Sequence, residues 1–347
     1  MQPHQRFPIE DASQVGEARR AALQLASGLG FDAEASGRLA LIVTELGTNL
    51  HRHVGPGRQA ALLMAAVDGE VEVLSLDQGP GMDVHRCLQD GYSTGGTAGT
   101  GLGAVRRMAA RFEAFSAPGR GCVMAVRAAA TVATAAQRGW TLPQAGFDIA
   151  GVNLAAPGEH ISGDGWTVRH LDDHWLVVVA DGLGHGPDAA EASDRMMALL
   201  HQTPAPAASP AAVLERAHDP MRMTRGAAVT LVRLDLATPA LTVSGAGNVS
   251  GRLISGVVDR SLMVQHGTLG VQVRRLQDMH YEWPAHAVLV LHSDGIQTRW
   301  KLDDVPGLLQ AGPAVIAGWI LRDHLRGRDD ATVVVAVPRR PASSQTQ

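Results

Sequence analysis

Twice in this chain an apolar run ends in an acid with glycine one or two positions on: "EVEVLSLDQGPG" at 70–81 and "WLVVVADGLGHG" at 175–186. A carboxylate and a bare backbone at the end of a buried strand restrict what the chain can build. The strand must stop at a surface where both groups have work, and two such ends about a hundred residues apart imply two sites in two domains. The 347 residues are enough for two ordinary cores.

The segments around the two turns obey different grammars. Residues 10–127 alternate helical patterns near 14–29, 34–54 and 100–113 with strand-like runs "ALLMAAV", "EVEVLSL", "RFEAFSA" and "GCVMAVRA". Hairpin-length gaps between these runs predict an α/β sandwich on a largely antiparallel sheet. The stretch "AAATVATAAQRG", 128–139, loses charge and periodicity and reads as a linker. From 140 to 338 strand-like runs dominate, with helices near 187–202 and 313–325, which predicts two sheets with helices packed outside them. Residues 339–347 read as a disordered tail.

Composition excludes several classes. With 45% apolar and 18% charged residues and a net charge of −4, the chain has the make-up of a globular protein with no basic stripe for nucleic acid. No apolar run approaches a membrane span, and the first residues lack a signal-peptide core, so a cytoplasmic location is expected. Cys87 and Cys122 are the only cysteines, too few for a disulfide framework or a four-cysteine zinc site.

In "RLALIVTELGTNLHRH" the residues Leu39, Ile42, Val43, Leu46 and Leu50 recur at helical spacing as a core face, and Glu45 and Asn49, four apart, stack on its flank. Alone, that pair reads as a solvated polar flank. It is followed by Asp77 with Gly79 and Gly81, where a carboxylate can accept from an exocyclic amine and glycine lets the backbone approach a flat ring. Next, "GTAGTGLGAVRRMAARF" opens a helix with a glycine cluster carrying Gly99, Gly101 and Gly103, whose free amides suit phosphates. A dinucleotide fold is disfavoured, because no strand leads directly into that cluster and the βαβ unit is missing.

This order of motifs resembles the GHKL ATPase fold. "TELGTNLHRH", "DQGPGM", "DGYSTGG" and "GTGLGAVRRMAARFE" look most like the RsbT-type anti-sigma serine kinases. The resemblance implies ATP with Mg²⁺ held through Asn49, Glu45 as general base, Asp77 on adenine, the glycines along the phosphates, and 91–99 as a lid. That lid carries no lysine, which leaves phosphate neutralisation to Mg²⁺, backbone amides and Arg106 or Arg107.

The second half holds four acid-bearing turns: Asp164 in "SGDGW", Asp181 in "ADGLGHG", Asp294 in "HSDGIQ", and Asp329 with Asp330 in "GRDDATVVV". A single Asp-Gly is most often a turn. If these four converge, their charges require compensation by hard divalent cations, and all-oxygen ligation favours Mg²⁺ or Mn²⁺ over zinc. No closely spaced calcium-loop pattern competes.

"APGEHISGDGW", "VADGLGHGPDAAEAS", "TRGAAVTLVRLD", "GAGNVSGRL", "LHSDGI" and "RDDATVVV" resemble, in the same order, the SpoIIE/RsbX branch of the type 2C (PPM) metal-dependent phosphatases. The resemblance implies an α/β/β/α sandwich with two Mn²⁺ or Mg²⁺. Asp181 would bridge them and contribute to catalysis, the Gly182 carbonyl would complete one site, and Asp164, Asp294 and Asp329 would complete the cluster. Asp330 reads as turn support, and His185 as a candidate proton donor to a leaving serine oxygen.

Together the two resemblances imply a bifunctional regulator of partner switching. A serine kinase or switch domain is joined to a phosphoserine phosphatase, with STAS-domain proteins as substrates and no nucleic-acid or membrane partner. The alternative is a phosphatase whose N-terminal domain only senses nucleotide or binds a partner. The oligomeric state is open, and a homodimer is compatible with the sequence.

Overall fold

The computed structural model describes residues 2–55, 57–89, 101–131, 146–202, 209–284, 286–302 and 304–339. The chain divides into two compact units. One comprises Gln2–Leu142 with Val305–Arg322; the other comprises Pro143–Asp304 with Asp323–Gln347 and the first residue. The expected linker lies almost wholly outside the described residues. The expected 140–338 segment is interrupted, because Val305–Arg322 groups with the N-terminal unit.

In the N-terminal unit a five-stranded antiparallel sheet runs in the order β1-β2-β3-β5-β4. Its strands are β1 (Gln5–Pro8), β2 (Ala60–Val67), β3 (Glu70–Asp77), β4 (Arg111–Ala117) and β5 (Gly121–Ala128). Helix α1 (Ala12–Gly28) starts at Asp11, whose carboxylate accepts from the Ser13 and Gln14 amides while the Gln14 side chain accepts from the Asp11 amide. Helix α2 (Ala33–His53) is capped by Asp32 and buries the apolar face expected for it, with Leu39, Ile42, Val43, Leu46 and Leu50 inside. These residues pack with Leu62, Met64, Val73 and Val126 of the sheet into one core. A one-turn α3 (Val84–Cys87) and α4 (Gly101–Met108) complete the unit's N-terminal portion. The helix expected to reach residue 113 ends at Met108, because "RFEAFSA" has strand alternation and pairs with β5.

The C-terminal unit is a sandwich of two five-stranded sheets, ordered β15-β10-β9-β8-β7 and β12-β11-β16-β17-β6. The strands are β6 (Phe147–Leu154), β7 (Asp164–His170), β8 (His174–Gly182), β9 (Ala227–Asp235), β10 (Ala240–Ala246), β11 (Ser250–Ile254), β12 (Asp259–Leu262), the short pair β13 (Gly267–Thr268) and β14 (Gln272–Val273), β15 (Met279–Glu282), β16 (Val288–His292) and β17 (Ala331–Pro338). Side-chain alternation along β8 explains the layering. Val177 and Val179 face the second sheet with Leu289, Leu291 and Val334, whereas Val178 and Ala180 face α5 (Pro187–Gln202) and α6 (Pro210–Met221) through Met196 and Leu214.

After β16 the chain forms α7 (Pro313–His324), every residue of which from Pro313 to Arg322 is buried. Within the N-terminal unit its Trp319 meets Phe115 of β4 edge-on at 5.3 Å. Gly318 is so close to Leu76 and Val123 that an added Cβ would lie 3.1 Å from each side chain. Arg322 reaches the end of β3.

Candidate functional sites

The first site collects at the end of β3. Asp77 is buried, and its Oδ1 accepts from the Gly79 amide at 2.7 Å. Burial pushes its carboxyl above the ordinary range, against the Gly79 hydrogen bond and the nearby Arg322 charge. The surrounding glycines are required by close approach. A Cβ on Gly121 would lie 2.0 Å from the Asp77 carbonyl oxygen, and one on Gly81, at φ +80°, would lie 2.5 Å from the Ala117 carbonyl oxygen. Gly79 abuts the end of α2, near Val54 and the His53 carbonyl, one turn beyond Asn49. Glu45 and Asn49 are half-buried on one flank of α2, and α4 packs beside that helix with Gly103 buried and Gly101 partly so. Arg106 and Arg107 lie on its exposed side. Gly99 and the expected lid, 91–99, lie outside the described residues.

The second site collects at one end of the β-sandwich. Asp164 opens β7 and Asp181 lies near the end of β8, and the antiparallel register places them directly opposite each other. Asp164 Oδ2 accepts from Ser293 Oγ at 2.6 Å, and the Ser293 hydroxyl oxygen in turn accepts from the Thr332 amide. That hydroxyl ties the Asp294 turn to the start of β17. Asp294 accepts from Asn248 Nδ2 at 2.8 Å, and Asp329 from the Asp330 amide at 2.9 Å. Both carboxylate oxygens of Asp330 are taken by backbone amides, of Ala156 and Gly163, each at 2.8 Å.

Electrostatics bind these acids into one group. Burial, then the charges of Asp294 and Asp329, push Asp181 up to about 7. Asp164 is raised well above the carboxylate range by burial and by Asp181, and Asp294 by burial and Asp329. Among the described residues no three acids, histidines or cysteines close on a single point ready for a metal. The carboxylates take hydroxyl, amide and backbone donors.

The glycines after Asp181 and Asp294 have a steric reason that sequence reasoning did not supply. A Cβ on Gly182 would stand 2.1 Å from the Ala189 carbonyl oxygen, and one on Gly295 would stand 2.0 Å from that of Asp330. Ser293 and Asn248 were also missed, although both sit in motifs the sequence displays, "HSDG" and "GAGN". His185 pairs with Glu159, Nδ1 to Oε1 at 3.0 Å.

Residues 7–127 match the histidine kinase-like ATPase domain, and residues 171–337 match the Stage II sporulation protein E (SpoIIE) family. The chain is 33% identical over 107 residues to the serine/threonine-protein kinase RsbT of Bacillus subtilis (strain 168), an alignment covering 30% of this chain and 80% of RsbT.

Through this region the chain belongs to the RsbT family.

Joined to that RsbT-family unit is the segment that matches the SpoIIE family. A structure solved under the description "The bacterial stressosome: a modular system that has been adapted to control secondary messenger signaling" is 25% identical, with a TM-score of 0.50 over 55% of this chain and 100% of that one. RsbX in complex with magnesium is 21% identical, with a TM-score of 0.48 over 56% of this chain and 96% of that one. No helix among the described residues is long and apolar enough to cross a membrane.

Proposed function

We propose that this protein is a bifunctional cytoplasmic regulator of partner switching. An ATP-dependent serine kinase in its RsbT-family unit would phosphorylate a STAS-type protein, and a Mn²⁺- or Mg²⁺-dependent phosphatase in its SpoIIE unit would remove the phosphate. The observation that carries the phosphatase half is the facing pair Asp164 and Asp181, coupled by charge to Asp294 and Asp329. Such a donor set is all-oxygen, strongly anionic and partly buried, which fits hard divalent cations.

Asp181, the Gly182 carbonyl, Asp164, Asp294 and Asp329 would hold such ions. Bound there, the ions would lower the pKa of water and neutralise the phosphoryl group. The protein's own part is to hold the acids. Ser293 fixes the Asp164 carboxylate, Asn248 fixes Asp294, and Asp330 pins the 156–163 loop beside Asp164 through two amides.

The kinase half is supported by the likeness to RsbT and by the placement of buried Asp77, which would accept from a base amine, at the end of β3 next to the end of α2, the helix that carries Glu45 and Asn49. By the same reading Asn49 would hold Mg²⁺ and Glu45 would take the serine proton. Gly101 and Gly103 would let the start of α4 approach the phosphates.

The test incubates the full chain with ATP, Mn²⁺ and candidate STAS proteins, and follows phosphoserine by mass spectrometry. Gain of phosphate on an unmodified partner and loss from a phosphorylated one are both expected. Removal without addition, with any partner tried, would leave the N-terminal unit as a nucleotide-sensing or partner-binding module.

A further inference from the structure

The acid cluster poses a problem for its own substrate. A phosphoserine dianion has to settle beside five aspartates, which calls for a positive side chain that can meet it. Arg225 is ion-paired with Asp188, Arg252 with Asp259, and His185 with Glu159. Arg326 differs. Among the described residues it is in no ion pair, and its guanidinium nitrogen Nε donates to the Ile296 carbonyl at 3.3 Å.

The backbone around Arg326 is laced to the Asp294 turn. Its amide donates to the Gly295 carbonyl at 2.8 Å, the Gln297 amide donates to the His324 carbonyl at 2.9 Å, and Ile296 bridges to Leu325. Arg326 is therefore fastened at main chain and side chain to the two residues that follow Asp294, and it stands three residues before Asp329. The residue is exposed, so its terminal N–H groups are open to an incoming ligand.

We infer that Arg326 binds the phosphoryl group of the substrate at the mouth of the acid cluster. This rests on the phosphatase reading above. A guanidinium anchored through Nε keeps its fork in one orientation, so less side-chain freedom is lost when two phosphate oxygens bind, and charge-assisted forked bonds are the strong ones. The residue also supplies the positive charge that draws a dianion toward a site walled by carboxylates.

The full chain with Mn²⁺ is titrated calorimetrically with inorganic phosphate, and phosphoprotein hydrolysis is measured in parallel, for wild type, Arg326→Gln and Arg326→Lys. Arg326→Gln is expected to weaken phosphate binding about tenfold or more and to raise KM far more than it lowers kcat, with Arg326→Lys between it and wild type. The Mn²⁺ activation constant and Tm should stay at wild-type values in both variants, which a merely structural staple would not allow. Unchanged phosphate affinity in Arg326→Gln, with hydrolysis intact, overturns the role of Arg326 and leaves the phosphatase reading standing. A wild-type chain that neither binds phosphate nor hydrolyses a phosphoprotein with Mn²⁺ overturns both.

Discussion

Arg322 donates from Nη1 to the backbone carbonyl of Asp77 at 2.5 Å. The two residues are 245 apart in sequence and both are buried. The guanidinium also lies over the Trp319 ring at 3.8 Å, so one arginine joins α7 to the strand end that carries the proposed adenine contact.

Arg322→Ala removes a donor from a buried carbonyl and a cation from a buried ring. A loss of about 2–4 kcal/mol is expected, together with weaker ATP binding, because the main chain at Asp77 loses its tether. Thermal unfolding and nucleotide titration of the full chain read the two effects. Unaltered Tm and affinity would show that the contact holds nothing in place.

Acid sensitivity of the N-terminal unit should trace to Glu72. Burial alone would raise its carboxyl, but His4, at 3.0 Å, and Arg127, at 2.6 Å, outweigh burial and hold it below the ordinary carboxylate range. Such a group stabilises the fold above its unfolded pKa, about 4.3, and that contribution is lost as pH falls through the lower folded value. Glu72→Gln should be less stable at neutral pH by about 3 kcal/mol, since Arg127 would be left without its acid, and its stability should fall less between pH 5 and pH 2 than that of wild type. Denaturant unfolding across that range measures both; parallel pH profiles would contradict the assignment.

Asp181→Asn should abolish Mn²⁺-dependent dephosphorylation while leaving the N-terminal pocket intact. With ATP and a STAS partner, phosphoserine should then accumulate, whereas Glu45→Ala should leave the partner stripped. On the proposed bifunctional reading, fusion would keep both activities at one substrate, so wild type should hold only a low steady level of phosphate. Phosphopeptide mass spectrometry distinguishes these outcomes, and an Asp181→Asn protein that never accumulates phosphate argues against the kinase.

Gly295→Ala should damage the second site without touching any acid. The new Cβ would meet the Asp330 carbonyl oxygen at 2.0 Å, so the Asp294 turn and the start of β17 must move apart. A cost of about 2–3 kcal/mol and a weaker apparent Mn²⁺ affinity are expected. Gly256→Ala, where nothing lies within 4 Å of the added carbon, serves as the neutral control in the same Tm and metal titrations.

Sequence by itself determined the two grammars, the core face of α2 and the acids at strand ends, because periodicity and turn chemistry are local. The α2 face is buried at every residue named from its spacing. Asp164 and Asp181 already stood at the edges of apolar runs. What the sequence left open was which strand ends meet, since register across β7 and β8 depends on pairing over a distance and not on composition. Only the tertiary structure showed why Gly182 and Gly295 follow their acids, because the atoms a Cβ would strike, on Ala189 and Asp330, come from other segments. The placement of α7 was likewise invisible. Its apolar residues predict a buried helix, but periodicity cannot say which sheet receives it, and the decision rests on the fit of Gly318 over Leu76 and Val123, Trp319 on Phe115, and Arg322 on Asp77.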